Sequence, residues 1–346
     1  MKTAIKLAER GWLPDIALRT GIRQMVSRRR RAMQRRAADS VAVGKQVFAR
    51  QLADGPIAVQ TAAANEQHYE VPAKFFEAVL GPRLKYSSCY YPNSQTTLAE
   101  AEEAMLAITC ERADIVDGHD VLELGCGWGS LTLWMAERYP NSHITTVSNS
   151  ASQRLFIESR AREMGLANVR IITADINAFV PPGAYDRIVS VEMFEHLRNW
   201  PLMFSRLGRW MRPEGRAFLH VFCHKDQPYL YEDKGQADWM ARYFFSGGMM
   251  PSDDLPHHIA GPLQVEQQWQ VNGTHYERTA NDWLGNLDRQ RTTLMLVLTD
   301  IYGTVEAHRW LHRWRMFFIG CAELFGHRQG EEWWVAHHRL QHRDLS

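Results

Sequence analysis

With 346 residues, 45% of them hydrophobic, the chain can bury one large core with helical additions, which excludes a disordered or fibrous protein. Its longest apolar runs, such as residues 317–322, fall short of the roughly 18 residues a membrane span needs. Five scattered cysteines without a CxxC pair speak against a disulfide framework and a zinc ribbon, and the net charge of +1 conceals a basic head: residues 1–50 hold 13 Lys/Arg against 3 Asp/Glu, a local +10 that leaves −9 elsewhere.

Residues 1–60 read as a basic helical extension ahead of a second unit spanning 61–346. Its centre, Arg28-Arg29-Arg30-Arg31 with Arg35 and Arg36, predicts a solvated helix face, with peripheral contact to an anionic membrane left open. No aromatic residues interleave with these arginines, so nucleic acid is not an expected partner. No secretory h-region is recognisable, and a cytoplasmic location is expected.

Residues 68–110 read as mostly helical, interrupted by the aromatic turn from Tyr86 to Pro92, with capping residues at 93–97 ahead of a helix over 98–110. After Asp117-Gly118 the pattern alternates between strand and helix, the mark of βαβ units and a parallel sheet. Strands are predicted at 120–124, 143–147, 169–173, 187–191 and 216–222, with a helix over 149–165 and a turn at Arg212-Pro213-Glu214-Gly215. Beyond Cys223 a helical insertion is expected to about Pro262, then a strand at 264–271 and helices over 281–301 and 305–325. Trp310, Trp314, Phe317, Cys321 and Phe325 share one face of the last helix, which predicts core or the roof of a pocket above the sheet.

The run Glu123-Leu124-Gly125-Cys126-Gly127-Trp128-Gly129 leaves the first predicted strand and enters a helix, so its small residues fall where backbone approaches a ligand closely. The spacing is GxGxG, which departs from the dinucleotide pattern GxGxxG. Asn149 and Gln153 follow the second strand, and Asp175-Ile176 the third. There a ribose and an adenine would find a carboxylate acceptor and an apolar platform. Together these residues point to S-adenosylmethionine as the cofactor, with Val191 beside it at the end of the fourth strand.

Glu192-Met193-Phe194-Glu195-His196 follows directly. Methyl transfer needs an unprotonated, aligned lone pair on the acceptor. A carboxylate from Glu192 or Glu195 can anchor an ammonium, and His196 can take its proton. His308 and His312, and His337, His338 and His342, lack the acidic or thiol partners of a metal site, and no metal is expected. The first pair reads as solvated.

His68-Tyr69-Glu70-Val71-Pro72, Leu84-Lys85-Tyr86-Ser87, the glycine loop, Glu192 to His196 and Phe222-Cys223-His224-Lys225 together resemble the cyclopropane-fatty-acyl-phospholipid synthase superfamily. Within it the chain is more similar to the plant coclaurine N-methyltransferase branch. Arg242-Tyr243-Phe244-Phe245, Ala322-Glu323-Leu324-Phe325-Gly326 and Gly330-Glu331-Glu332-Trp333 continue the likeness over roughly residues 60–340. It implies an α/β class I methyltransferase fold, Rossmann-like, with a seven-stranded, mostly parallel sheet. The cofactor-binding core would span about 98–223, with a helical N-terminal extension and substrate-covering helical insertions at about 224–262 and 280–326.

The resemblance further implies that Tyr86 and Ser87 close over S-adenosylmethionine beside Gly125, Cys126 and Gly127. Tyr69, His220, Phe244, Trp314, Phe317 and Phe318 would surround the acceptor. Lipid-acting relatives bind bicarbonate with a Cys after the Tyr-Ser pair, a His on the fifth strand and a Tyr in the late helix. Here those positions hold Ser88, His220 and Phe317-Phe318, and a Phe cannot hydrogen-bond an anion. Cys321 matches a Cys assigned to the active site of the lipid enzymes and is kept as a pocket residue.

The leading expectation is N-methylation of a small-molecule amine, with homodimer formation left open. Methylene or methyl transfer to an unsaturated acyl chain is the alternative, and a cofactor-binding protein without catalysis is a third reading.

Overall fold

The computed structural model describes residues 2–37, 41–59, 71–232, 235 and 238–343. The chain folds around one seven-stranded sheet: β1 (Asp120–Leu124), β2 (His143–Ser148), β3 (Val169–Thr173), β4 (Tyr185–Val191), β5 (Met211–His224), β8 (Leu263–Val271) and β9 (Trp333–His342). Their order is β3-β2-β1-β4-β5-β9-β8. The first five strands run parallel, while β9 is antiparallel to both β5 and β8.

The strand residues alternate between the sheet faces. Val121 and Val189 join one core with Leu106, Leu131 and Phe218, whereas Leu122 and Ile188 join another with Phe204 and Leu207. Both faces are therefore covered, as a parallel sheet requires. The covering helices on the first face are α5 (Leu98–Arg112) and α6 (Ser130–Arg138), and on the second α3 (Val41–Gln51) and α8 (Trp200–Trp210). Helix α5 starts at the predicted caps: Thr97 and Glu100 form a reciprocal capping box. Helix α7 (Ala151–Glu163) follows β2, capped by Ser150.

A third core, rich in aromatics, lies above the carboxyl ends of the strands. It is built from α4 (Ala73–Val79), α10 (Gly273–Arg289) and α11 (Arg291–Phe325), with α1 (Lys2–Glu9) and α2 (Asp15–Ala37) against them. Helix α11 is broken at Gly303, whose φ of 72° is outside the helical region.

Several expectations shift. Between residues 71 and 97 the only described helix is α4. The insertion 224–262 is mostly irregular: it carries the five-residue α9 (Trp239–Tyr243), a 3-10 turn at 255–258, and two short strands, β6 (Tyr229–Leu230) and β7 (Met249–Met250). Pro228, Gly247-Gly248, Pro251 and Pro256 break any longer helix there. The helix expected over 281–301 begins earlier, at Gly273, and stops at Gln290. Residues 212–215 bulge from β5 instead of preceding it: Tyr185 pairs with Met211 and Arg187 with Arg216. No helix among the described residues is long and apolar enough to cross a membrane.

The basic head is not a solvated appendage throughout. Arg19 and Arg23 pair with Glu323, Arg30 with Glu332, Asp15 with Arg315 and Glu9 with Arg313. These partners lie on or just after α11, so α1 and α2 are tied across the top of the molecule. Arg28, Arg31 and Arg35 do face solvent.

Candidate active site

The strand order reverses between β1 and β4, and both strands deliver their carboxyl ends to that crevice. Leaving β1, Gly125 has φ of 80°, and a Cβ there would lie 2.9 Å from the side chain of Met193. Gly127, at φ of 52°, faces open space. An L side chain at either would strain the turn, and at Gly127 it would also enter the room left for a ligand.

Two cavities meet at Gly125 and Gly127, sharing Gln153, Met193 and His196 in their walls. One is bounded by Lys85, Tyr86, Ser87, Glu123, Val191 and Glu192. The other is bounded by Ser148, Asn149, Asp175 and Ile176. The predicted Tyr86, Ser87, Gly125, Cys126, Gly127, Asn149, Gln153, Asp175, Ile176 and Val191 thus all line this pair of cavities. Gln153 is held by Ser148, whose hydroxyl donates to Oε1 at 2.6 Å, and one Asp175 oxygen accepts from the Asn177 N–H at 2.8 Å.

The loop that closes the first cavity is positioned by a buried acid that sequence reasoning passed over. Glu102 on α5 accepts from the backbone N–H groups of Gly81, Arg83 and Lys85 at 3.1, 2.8 and 3.1 Å. Lys85 is enclosed, and its Nζ donates to the Ser87 hydroxyl and to the Ser88 carbonyl, the latter at 2.7 Å. Burial lowers the Lys85 pKa. On β1, Glu123 is buried against Thr132 and Thr146, and burial pushes its carboxyl up to about 7.

Glu192 opens the candidate reaction site with a left-handed φ of 47°, rare for a non-glycine residue. Three donors close on its carboxylate: Ser88 N–H at 2.9 Å and His220 Nε2 at 3.2 Å on Oε1, and Tyr276 O–H at 2.7 Å on Oε2. Glu195 is fully enclosed. Its Oε1 accepts from Phe222 N–H at 2.6 Å, whereas Oε2 has no hydrogen-bond partner among the described residues. Burial raises the pKa of both acids, and that of Glu195 much further because the charge of Glu192 adds to it. His196 stacks on Phe245 with the ring planes 4° apart and lines both cavities.

A third cavity, about 610 Å³ and largely apolar, adjoins the first; Phe222, Phe245, Tyr276 and Phe317 line both. Its far wall is the head, through Ile5, Ala8, Leu18, Ile22 and Val26. Cys321 lines it as well. Burial pushes this thiol up, which fits a wall residue and not a nucleophile.

Of the predicted acceptor residues, Phe317 sits in the partition. Phe244, Trp314 and Phe318 are fully enclosed and line none of the three cavities: Phe244 stacks on Phe317 at 4.3 Å, and Trp314 and Phe318 pack behind it. His220 is enclosed and reaches the site through its hydrogen bond to Glu192, and Tyr69 falls outside the described residues. His308 is exposed as expected, but His312 is half-buried against Gly11. Among the described residues no group of histidines, cysteines and acids could hold a metal.

The family of mycolic acid cyclopropane synthetase matches residues 58–333. The chain belongs to this family. It is 38% identical to (S)-coclaurine N-methyltransferase of Thalictrum flavum subsp. glaucum over 96% of this chain and 93% of that one. The cyclopropane-fatty-acyl-phospholipid synthase of Escherichia coli K12 is 30% identical over 63% of this chain and 54% of its own length. A crystal structure of coclaurine N-methyltransferase bound to N-methylheliamine and SAH superimposes with a TM-score of 0.94 at 34% identity, covering 98% of this chain and 99% of that one.

This member of the cyclopropane synthetase family is therefore an S-adenosylmethionine-dependent methyltransferase with a class I, Rossmann-like fold. The glycine cradle fits that donor: the space beside Gly127 admits a ligand that a Cβ would crowd. The leading expectation of N-methyl transfer, raised by Glu192, Glu195 and His196, agrees with these relatives, and the lipid synthase is the more distant one.

Proposed function

We propose that this methyltransferase acts on the nitrogen of an apolar, ring-bearing amine of the coclaurine kind, seated in the cavity beneath α1 and α2. The observation that carries the reading is the placement of Glu192 and His196 in the wall of the cofactor cavity that abuts the apolar one through Phe222, Phe245, Tyr276 and Phe317. Its volume of about 610 Å³ falls within the usual range of small-molecule sites. Its aromatic partition suits a ring system carrying a cation.

Bound in the cradle, S-adenosylmethionine supplies an electrophilic methyl group on a sulfonium. Glu192, loaded with three donors, is the ionised anchor for the ammonium form of the acceptor. His196 takes the proton, which leaves the nitrogen with the unprotonated lone pair that methyl transfer requires. Glu195 keeps a neutral carboxyl next to His196 and, through Phe222 N–H, ties the turn at 194–196 to β5.

The test is incubation with methyl-labelled donor, a panel of amines that includes coclaurine, and vesicles of unsaturated phospholipid. Label in an amine is the expected result. Label in lipid alone would overturn the reading in favour of acyl-chain modification. A peripheral contact with anionic membrane would fall to the exposed Arg28, Arg31 and Arg35, and co-sedimentation with anionic vesicles tests it. Light scattering on the same sample tests the homodimer.

A further inference from the structure

Arg112, the last residue of α5, directs Nη1 at Nδ1 of His337, 2.8 Å away. A guanidinium has donors only, so this Nδ1 carries the lone pair and the His337 proton resides on Nε2. That Nε2 lies 3.0 Å from Nδ1 of His220, which must accept in turn, leaving the His220 proton on its own Nε2. His220 Nε2 faces Oε1 of Glu192 at 3.2 Å. One donor-only group at the far end thus sets the direction of every hydrogen bond up to the carboxylate.

The sheet builds this row. Val191 pairs with His220 between β4 and β5, His220 with His337 between β5 and β9, and His337 with Trp269 between β9 and β8. Trp269 lies 5.3 Å from the Arg112 guanidinium, a cation–π contact that holds its plane. Both imidazoles are fully enclosed, so water does not compete for their nitrogens.

We propose that Arg112, His337 and His220 are positioning residues that orient Glu192 and, by aiming a donor at its carboxyl, favour the ionised form that anchors the amine. The proposal rests on the anchor role given to Glu192 above. The row does not conduct protons outward, because a guanidinium does not release one. Its work is to exclude the other histidine tautomer, which would turn a ring lone pair toward the carboxylate. Lys85, Tyr276, His196 and Glu195 also bear on Glu192. Lys85 also acts on both imidazoles through its charge, whereas the hydrogen-bonded route from Arg112 to Glu192 runs through His337 and His220.

The experiment is a two-bond proton–nitrogen correlation spectrum of the full chain labelled at histidine nitrogens, with His220→Gln and His337→Gln assigning the signals. In the wild type, both rings are expected as neutral Nε2–H tautomers; either one as the Nδ1–H tautomer or as imidazolium overturns the proposal. Arg112→Met is expected to mix the tautomers and raise KM for the amine about tenfold while affinity for S-adenosylhomocysteine stays unchanged, and Arg112→Lys, again a donor only, to restore both. Unchanged tautomers or an unchanged KM in Arg112→Met overturn it. An unchanged amine KM in Glu192→Gln overturns the anchor reading instead, and the wild-type tautomers distinguish that failure from a failure of the row.

Discussion

Glu192 and Glu195 stand three residues apart and meet opposite surroundings: Glu192 receives three hydrogen-bond donors, while Glu195 receives one and leaves Oε2 buried without a partner among the described residues. A neutral amide mimics a protonated acid, so Glu195→Gln is expected to unfold within about 1 kcal/mol of the wild type. Glu192→Gln forces an NH₂ among donors and is expected to lose about 1–3 kcal/mol. Chemical denaturation of the two variants checks this. A large loss in Glu195→Gln would mean that the acid is ionised in the fold.

The imidazole of His196 is expected to act on the proton of the amine. Without it, only acceptor molecules that arrive already deprotonated react. His196→Ala should therefore lower kcat by about 10²–10⁴-fold near neutral pH, with recovery as rising pH increases the free-base fraction of the amine. Turnover measured across pH at saturating amine checks the slope. A uniform loss at every pH would assign His196 to packing against Phe245 instead.

The parallel half of the fold was legible because the alternation after Asp117-Gly118 and the glycine loop are local signals. The predicted strand at 120–124 matches the observed one, and the Glu192–His196 run follows the end of β4 as its sequence suggests. What could not be read depends on register and long-range packing. Arg112, His220 and His337 lie on three elements, and only the pairing of β5 with β9 brings the two rings together. Tyr276 sits in the first turns of α10, with no local feature that directs its hydroxyl to Glu192. The head read as solvated because Arg19, Arg23 and Arg30 find their acids some 300 positions away, at separations of 304, 300 and 302.

Gly125→Ala tests the cofactor cradle. The left-handed φ alone costs a non-glycine residue about 1–2 kcal/mol, and the added Cβ would lie 2.9 Å from Met193, which lines both cofactor cavities. Affinity for S-adenosylhomocysteine by calorimetry is expected to fall by about tenfold or more, since each 1.4 kcal/mol is a factor of ten. Gly125 does not line the apolar cavity proposed for the amine, so a loss confined to amine KM would contradict the assignment.

Removing residues 1–37 takes away α1 and α2 and opens the far wall of the 610 Å³ cavity. Cofactor binding is expected to persist, because the cradle lies on β1, β2 and β3. KM for the amine should rise by about tenfold or more as the apolar wall is lost. Glu323→Gln, which releases Arg19 and Arg23 without exposing the cavity outright, should shift KM in the same direction by less and make it depend less on salt. Steady-state kinetics at two ionic strengths separate the two effects.

His338 offers a test of stability against pH. It is fully buried on β9, donates from Nε2 to the Asp253 carbonyl at 2.9 Å, and burial lowers its pKa to about 4. The unfolded chain protonates this ring near its ordinary value of 6.5, while the folded chain resists until about 4. The unfolded state therefore binds the extra proton throughout that window. Stability is fully present above 6.5 and is lost as pH falls toward 4, by about 3 kcal/mol from this residue at 1.36 kcal/mol per pKa unit. Buried acids such as Glu123 act in the opposite sense, so the total curve mixes both contributions. The difference between wild type and His338→Gln isolates the one in question, because Gln can still donate to Asp253 and does not titrate. Denaturation curves between these pH limits should converge by about 3 kcal/mol as pH falls, since the variant lacks the wild type's loss from this ring. A gap between the two proteins that stays constant with pH would mean that His338 is already protonated in the fold.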